Sequence, residues 1–164
     1  MKKQGIYTIF ISLCGIVVLG IGAFQSAALF ADPQTRLSML LYSTIMVTLL
    51  AICHVLPIYI TADKTMEISF VPVVACIVTK GVALSIVLYA ISSLLVFLQD
   101  PMTKKYYSPW SRSAKKEFFN VSNVLVANWV GGLVYDLIVR TSGGSVFTWK
   151  VIFGAVAFSF IAIL

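Results

Sequence analysis

The sequence predicts an all-α membrane protein, a polytopic bundle of about six transmembrane helices. Two observations carry this prediction. Of the 164 residues, 60% are hydrophobic and only 11% are charged, whereas soluble domains carry roughly 25% charged residues. The hydrophobic residues also form long runs instead of the alternating pattern of a lipid-facing β-barrel. Helices suit such runs because a helix satisfies its own backbone hydrogen bonds in lipid.

Five of the six predicted spans have close to, or more than, the roughly 20 apolar residues that cross a bilayer, and the third is shorter. The first run is much longer than the core of a signal peptide, which has about 7–15 residues, so we expect it to be retained as a helix. The region 68–98 is interrupted by Lys80-Gly81, and we divide it into a short span that contains Pro72 and a second, longer span. The predicted spans, which together make one membrane domain, are 5–31, 37–60, 68–79, 82–98, 118–139 and 147–164.

The net charge of +6 comes from basic residues placed between the apolar runs. Cytoplasmic loops of membrane proteins are enriched in Lys and Arg, so these residues indicate orientation in the bilayer and not a nucleic-acid partner. With six spans, the N-terminus, the most basic loop and the C-terminus all lie on the cytoplasmic side. That loop is also expected to contact lipid head groups, through Lys104, Lys105, Arg112, Lys115 and Lys116.

The last apolar run is still apolar at Leu164, where the sequence stops. We therefore expect the chain to be truncated, or to be cut from a longer protein. Because the C-terminus is predicted to be cytoplasmic, a signalling or catalytic domain would attach there.

Polar side chains within the fifth span form a candidate ligand site. At about 100° per residue, Asn120, Asn128 and Tyr135 share one face of the helix, and Asn123 flanks it. Two interpretations stay open. The amides and the small residues between them can serve helix packing, since Asn hydrogen-bonds across helices. Alternatively, the same stripe lines a cavity for a small-molecule ligand.

His54 lies one turn before Pro57 in the second span and completes the candidate ligand site. Ionisable residues within spans are often functional; the other interpretation is an ordinary hydrogen-bonded histidine at the head-group level. No catalytic set, metal site or cofactor site is predicted, so the chain is not expected to be an enzyme. Three residues are predicted to be free thiols within apolar runs: Cys14, Cys53 and Cys76.

Several short motifs give the chain a resemblance to a known family. Leu56-Pro57-Ile58 closes one predicted helix, and a segment of the form Ile-Ser-Phe-x-Pro, here residues 68–72, opens the next. After the basic loop come Phe119-Asn120 and the string Gly132-Leu133-Val134-Tyr135. The pattern covers about residues 55–140 and resembles the multi-span N-terminal sensor domains (MASE-type) of bacteria. Lys80 departs from it, because that family usually has an apolar residue before its glycine.

The resemblance implies a function. MASE-type domains precede HD-GYP phosphodiesterase or GGDEF cyclase domains in cyclic-di-GMP signalling. The resemblance therefore implies that this chain is a sensory or anchoring module in the bacterial cytoplasmic membrane. The partners expected on this basis are the lipid bilayer, a small-molecule ligand, a cytoplasmic output domain and a second copy of the chain.

Two alternatives stay open. The chain is similar in plan to the six-helix S components of ECF vitamin transporters, which implies a small-molecule binding and uptake subunit. Ala23 and Ala27 have the Ala-x-x-x-Ala spacing with which S components dock on their partner, although small pairs at this spacing are common in packed spans. The other alternative is a structural membrane subunit without a ligand.

Overall fold

A computed structural model describes residues 2–55, 58–61, 64–66, 69–95, 98–99, 106–107 and 114–140. Helix predominates among them, as the sequence predicts. The helices are α1 (Lys2–Ala27), α2 (Pro33–Val55), α3 (Phe70–Lys80), α4 (Val82–Leu95) and α5 (Ala114–Arg140), and a 3₁₀ turn (Ala28–Phe30) follows α1. Two short antiparallel ladders, which the sequence does not predict, pair β1 (Ile58–Thr61) with β2 (Lys64–Met66) and β3 (Leu98–Gln99) with β4 (Tyr106–Tyr107).

Three helical segments are long and apolar enough to cross a membrane. They correspond to the first, second and fifth predicted spans and comprise Gly5–Phe30, Pro33–His54 and Phe118–Ile138. Their outer surfaces are hydrophobic: the side chain of Phe24 is 85% exposed and that of Leu37 is 70% exposed. This length and composition are those of a membrane protein. The sixth predicted span, 147–164, lies outside the described residues.

The second helix begins and ends earlier than predicted. The Asp32 carboxylate accepts hydrogen bonds from the Gln34 backbone N–H and the Thr35 hydroxyl, both at 3.0 Å. Asp32 therefore caps the N-terminus of α2, and residues 33–36, which lie between the first two predicted spans, form its first turn. The helix ends at Val55, two residues before Pro57, and a proline is unfavourable for the continuation of a helix. Residues 58–60, which were predicted to be helical, lie in β1 instead.

The region 68–98 divides at the predicted position. Gly81 separates α3 from α4 with a φ of 95°, a backbone conformation that glycine adopts without the steric cost of a Cβ atom. The two helices have 11 and 14 residues, or lengths of about 17 and 21 Å. Each is shorter than the roughly 30 Å hydrocarbon core of a bilayer.

Helix α4 lies at the centre of the described bundle and packs against α1, α2, α3 and α5. Leu84 and Ile86 are both fully buried, although residues two apart on a helix point in nearly opposite directions. The helix is therefore enclosed on more than one side. Its buried residues are Val82, Leu84, Ser85, Ile86, Leu88, Tyr89, Ala90, Ser92 and Ser93.

Two glycines allow close approach between helices. A Cβ atom at Gly15 of α1 would lie 2.7 Å from the Cα atom of Ser122 in α5. A Cβ atom at Gly132 of α5 would lie 3.1 Å from the Cβ atom of Val82, the first residue of α4. Lipid tails are as apolar as the helices, so membrane helices are held together by this kind of close van der Waals packing.

Pairs of residues show how the chain runs through the bundle. Tyr7 meets Phe119 edge to face with ring centroids 5.8 Å apart, so α1 and α5 begin at the same end. Tyr42, in the first half of α2, hydrogen-bonds Thr79 beside the α3–α4 turn at 2.6 Å. The last turn of α2 lies beside the last turns of α4 through the contacts of His54. Together with the contact between Gly132 and the start of α4, these pairs indicate that consecutive helices alternate in direction.

Gly15→Ala should lower the free energy of unfolding by about 1–3 kcal/mol, because a methyl group at this contact forces the α1 and α5 backbones apart. Unfolding in detergent micelles measures the change. Gly20→Ala is the matched control in the same helix, since no atom lies within 4 Å of the position its Cβ would take. Equal stabilities of the two variants would show that Gly15 does not set the distance between α1 and α5.

Candidate functional site

Polar side chains are buried inside the bundle, in contrast to its hydrophobic outside. The buried polar residues are Ser26, His54, Ser69, Ser85, Ser92, Ser93, Ser122 and Asn128. Several of the serines donate a hydrogen bond to a carbonyl of their own helix, as Ser85 does to Val82 at 2.7 Å. A buried hydroxyl satisfied in this way carries little cost, and its small volume permits close packing.

His54 and three residues of α4 form a buried contact network, which we call the His54 cluster (His54, Tyr89, Ser92 and Ser93). The Nε2 atom of His54 lies 3.4 Å from the Ser92 hydroxyl oxygen. The imidazole meets the Tyr89 ring edge to face, with centroids 5.2 Å apart. The α4 residues are three and four positions apart, which puts them on one face of the helix.

Internal hydrogen bonds fix the α4 half of the cluster. The hydroxyls of Ser92 and Ser93 both donate to the Tyr89 carbonyl, at 2.8 and 2.9 Å. Ser92 therefore has its proton engaged within α4, and its oxygen is free to accept from an N–H of the imidazole. Among the side chains that the structure describes, His54 is the one buried group able to carry a positive charge.

The predicted α5 stripe is divided between two sides of the helix. Asn128 and Tyr135 are buried, whereas Asn120 and Asn123 are exposed. These four residues therefore lie partly on the side of α5 that packs against other helices and partly on its exposed side. The spacing of polar residues along the sequence does not show where the boundary between these two sides lies. The contacts described for His54 are with α4, so the five predicted ligand residues do not form one described site.

The basic residues of the predicted lipid-contacting loop are mostly beyond what the structure describes. Lys104, Lys105 and Arg112 lie outside the described residues. Lys115 and Lys116 lie in the first turn of α5, and the Lys116 side chain is exposed. Their place at the start of α5 puts them at the end of the bundle where α1 also begins. Lipid contact by these residues stays a prediction.

A second polar contact, which the sequence analysis does not identify, joins α2 to the turn between α3 and α4. It consists of the Tyr42–Thr79 hydrogen bond and of Lys80, whose Nζ atom lies 5.5 Å from the centroid of the Tyr42 ring. That distance is within the range of a cation–π interaction. The sequence signals that could have found it are a tyrosine inside an apolar span and a lysine just before a helix-breaking glycine.

Metal-binding groups are scattered in the part of the chain that the structure describes. No three His, Cys, Asp or Glu side chains there are close enough together to hold a metal ion. Cys14, Cys53 and Cys76 are free thiols.

Comparison of the chain with protein-family models finds no match, and comparisons with curated proteins and with solved structures find no significant similarity. The resemblance to MASE-type sensors and the similarity in plan to S components therefore remain predictions from the sequence.

Ser92→Ala should lower the free energy of unfolding by about 1 kcal/mol more than Ser85→Ala, which is the contribution of a typical hydrogen bond. Both serines are buried and donate to a carbonyl of α4, but Ser92 in addition contacts His54. Unfolding in detergent micelles gives both values. Equal losses would show that the contact between Ser92 and His54 contributes nothing to stability.

Proposed function

We propose that this chain is a multi-pass sensory module of the bacterial cytoplasmic membrane, which passes a signal to a cytoplasmic output domain. The observation that carries the proposal is the His54 cluster, in which an imidazole is buried among helices with hydrophobic outer surfaces. An ionisable side chain within a span is expensive to bury, so it is retained mainly where it has a function.

The position of the cluster suits signal transmission. His54 lies in the last turn of α2, and its partners lie in the last turns of α4. Because α4 packs against each of the other described helices, a change in the contact between His54 and Ser92 would disturb the helix on which the rest of the bundle depends. Small shifts of packed helices are an established means of switching between conformations.

The distribution of basic residues supports a cytoplasmic location for the end at which α1 and α5 begin. By chain connection, the links from α2 to α3 and from α4 to α5 join helix ends on that side. The N-terminus, these links and the start of α5 hold eight basic residues: Lys2, Lys3, Lys64, Lys104, Lys105, Arg112, Lys115 and Lys116. In the proposed topology the opposite end has the other four, Arg36, Lys80, Arg140 and Lys150. The positive-inside rule places the richer end in the cytoplasm.

Six spans require α3 and α4 to make two passes. The alternating course of the helices supports this count, because it puts the Gly81 turn at the end opposite to the start of α1. Both helices are shorter than a bilayer core, but α4 is largely enclosed by protein, so its length need not match the lipid. With a sixth span at 147–164, the C-terminus would face the cytoplasm, where an output domain would attach.

The proposed output is cyclic-di-GMP turnover, and its support is the resemblance to MASE-type sensors. A second candidate function is ligand uptake as an S-component-like subunit. It is favoured by the buried amide of Asn128 and the buried Tyr135 on one side of α5, which could recognise a polar ligand. It is also favoured by Ala23 and Ala27, which are exposed on α1 and open to a docking partner.

The topology can be tested by thiol accessibility in a variant whose three native cysteines are replaced. Lys80→Cys should react with a membrane-impermeant maleimide added to intact cells. Lys116→Cys should react only after the membrane is permeabilised. Arg36→Cys is the matched control, because it lies at the same end as Lys80 and should behave as Lys80→Cys does. Labelling of Lys116→Cys in intact cells would overturn the proposed orientation.

The sensory function can be tested in the natural host by chromosomal substitution. Replacing His54 with Phe should change cellular cyclic-di-GMP by about fivefold, which corresponds to about 1 kcal/mol of coupling between the cluster and the output. Ser85→Ala, a buried serine of α4 outside the cluster, is the control and should leave the level unchanged. Immunoblotting of membranes establishes that the variants are equally abundant.

Two outcomes would contradict the sensory proposal. The first is a cyclic-di-GMP level that stays constant when the whole gene is deleted. The second is a large rise in melting temperature of the purified protein with a vitamin, together with co-purification of an ATPase. The second outcome would favour the uptake function.

A further inference from the structure

The first turn of α4 is buried between two neighbouring helices. Val82, its first residue, packs on Gly132 of α5 and is 7% exposed. The carbonyl of Ala83 lies close to Gly22 of α1. The turn is open toward the residues that precede it, because the Lys80 side chain is exposed. A helix end enclosed in this way has little water with which to satisfy its backbone groups.

Three backbone N–H groups of this turn have no acceptor among the residues that the structure describes. They belong to Val82, Ala83 and Leu84. The bonds of the helix start at Ser85, whose N–H donates to the Gly81 carbonyl at 3.5 Å. A side-chain cap often accepts from such N–H groups, as Asp32 does for α2, but Gly81 has no side chain. Buried N–H groups without an acceptor are rare, so this helix end is expected to bind one.

Tyr135 brings a hydroxyl without a partner to the same place. An aromatic side chain in a helix lies over the residues three and four positions before it, and here both are glycines, Gly131 and Gly132. The Tyr135 ring therefore lies over the surface on which Gly132 meets Val82. Its side chain is 6% exposed, and its hydroxyl makes no hydrogen bond within the described part of the chain. A buried tyrosine hydroxyl usually has a partner.

We propose that the N-terminus of α4 binds a phosphate group, held by the three free N–H groups and the Tyr135 hydroxyl. Backbone N–H groups at a helix N-terminus are common ligands of phosphate, because they point at the anion and the helix dipole favours its charge. With 14 residues, α4 is long enough to have such a dipole. The Lys80 ammonium adds a full positive charge beside the turn, on the side of α2, where it lies 5.5 Å from the centroid of the Tyr42 ring.

One acidic residue lies next to this site. Asp136 follows Tyr135 in α5 and is half-buried, and its carboxylate would lower the affinity for an anion. A helix N-terminus carries about half a positive charge. Together with Lys80 it gives about 1.5 positive charges against one negative charge, so the site keeps a positive balance.

The site lies at the end of the bundle opposite to the His54 cluster. In the proposed topology this end faces away from the cytoplasm. A phosphate group bound there would hold the first turn of α4, whereas His54 contacts its last turns. The two sites would therefore act on one helix from its two ends. This link to signalling rests on the proposed sensory function, but the binding itself does not.

The binding can be tested by thermal unfolding of the purified full chain in neutral detergent. Inorganic phosphate, added at an ionic strength held constant with sodium chloride, should raise the unfolding midpoint, because a ligand of the folded state stabilises it. Tyr135→Phe should need about tenfold more phosphate for the same rise, which is the effect of one hydrogen bond to a charged group. Tyr7→Phe is the matched control and should behave as the wild type, since Tyr7 is exposed on α1.

Two further variants test the charges around the site. Lys80→Gln should need more phosphate than the wild type, and Asp136→Asn should need less, because they remove charges of opposite sign. Equal responses of Tyr135→Phe and the wild type would overturn the proposal.

The phosphate group can belong to a soluble molecule or to a lipid, and a second series separates these sources. It replaces inorganic phosphate with phosphatidylglycerol in mixed micelles, with diacylglycerol as the phosphate-free control. A rise that requires Tyr135 and occurs with phosphatidylglycerol alone assigns the site to a lipid head group. The same rise with inorganic phosphate alone assigns it to a soluble ligand. The proposal fails if neither probe stabilises the wild type, and the sensory function keeps its own test, because no output domain is involved here.

Discussion

The enclosure of α4 by the other helices is the constraint on which the rest of the structure depends. Because α4 has buried residues on opposite sides, the neighbouring helices must pack close to it. Small residues on those neighbours make the short distances possible. Gly132 lets α5 approach Val82. On α1, a Cβ atom at Gly22 would lie 3.2 Å from the carbonyl oxygen of Ala83. The hydrophobic effect does not drive helices together in lipid, because lipid tails are as apolar as the helix surfaces. Close van der Waals packing between the helices is then the main interaction that holds them together.

The enclosure of α4 also decides what its polar residues can do. Its buried serines are satisfied by carbonyls of their own helix, so they pack as small residues without needing partners elsewhere. Ser92 differs because it also contacts His54, which links the end of α2 to the centre of the bundle. The His54 cluster is thus both a structural contact between helices and the site at which a change in one buried group would affect the central helix.

The two ends of the bundle have different chemistry. At one end, Tyr42 contacts Thr79 and Lys80, which precede the Gly81 turn. The other end carries the links and the helix starts that hold most of the basic residues. This asymmetry is the basis of the proposed orientation, in which the helix ends that adjoin the His54 cluster would lie near the cytoplasm.

The sequence by itself determined the helical membrane character, the approximate positions of α1, α2 and α5, and the break at Lys80-Gly81. These follow from local properties, namely the length of apolar runs and the backbone preference of glycine. Asp32 and Pro57 are local sequence signals for the two ends of α2. The prediction followed the apolar run to Ile60 instead and gave a helix that starts and ends too late.

Only the tertiary structure decided which polar residues face inward. The spacing of Asn120, Asn123, Asn128 and Tyr135 gives their angles around α5, but it does not show where the neighbouring helices lie. The structure puts two of them on the packed side and two on the open side. It likewise decided that His54 meets α4, because that contact joins residues 38 positions apart in the chain. Such pairings depend on how the helices pack, which the pattern of hydrophobic residues within one helix does not encode.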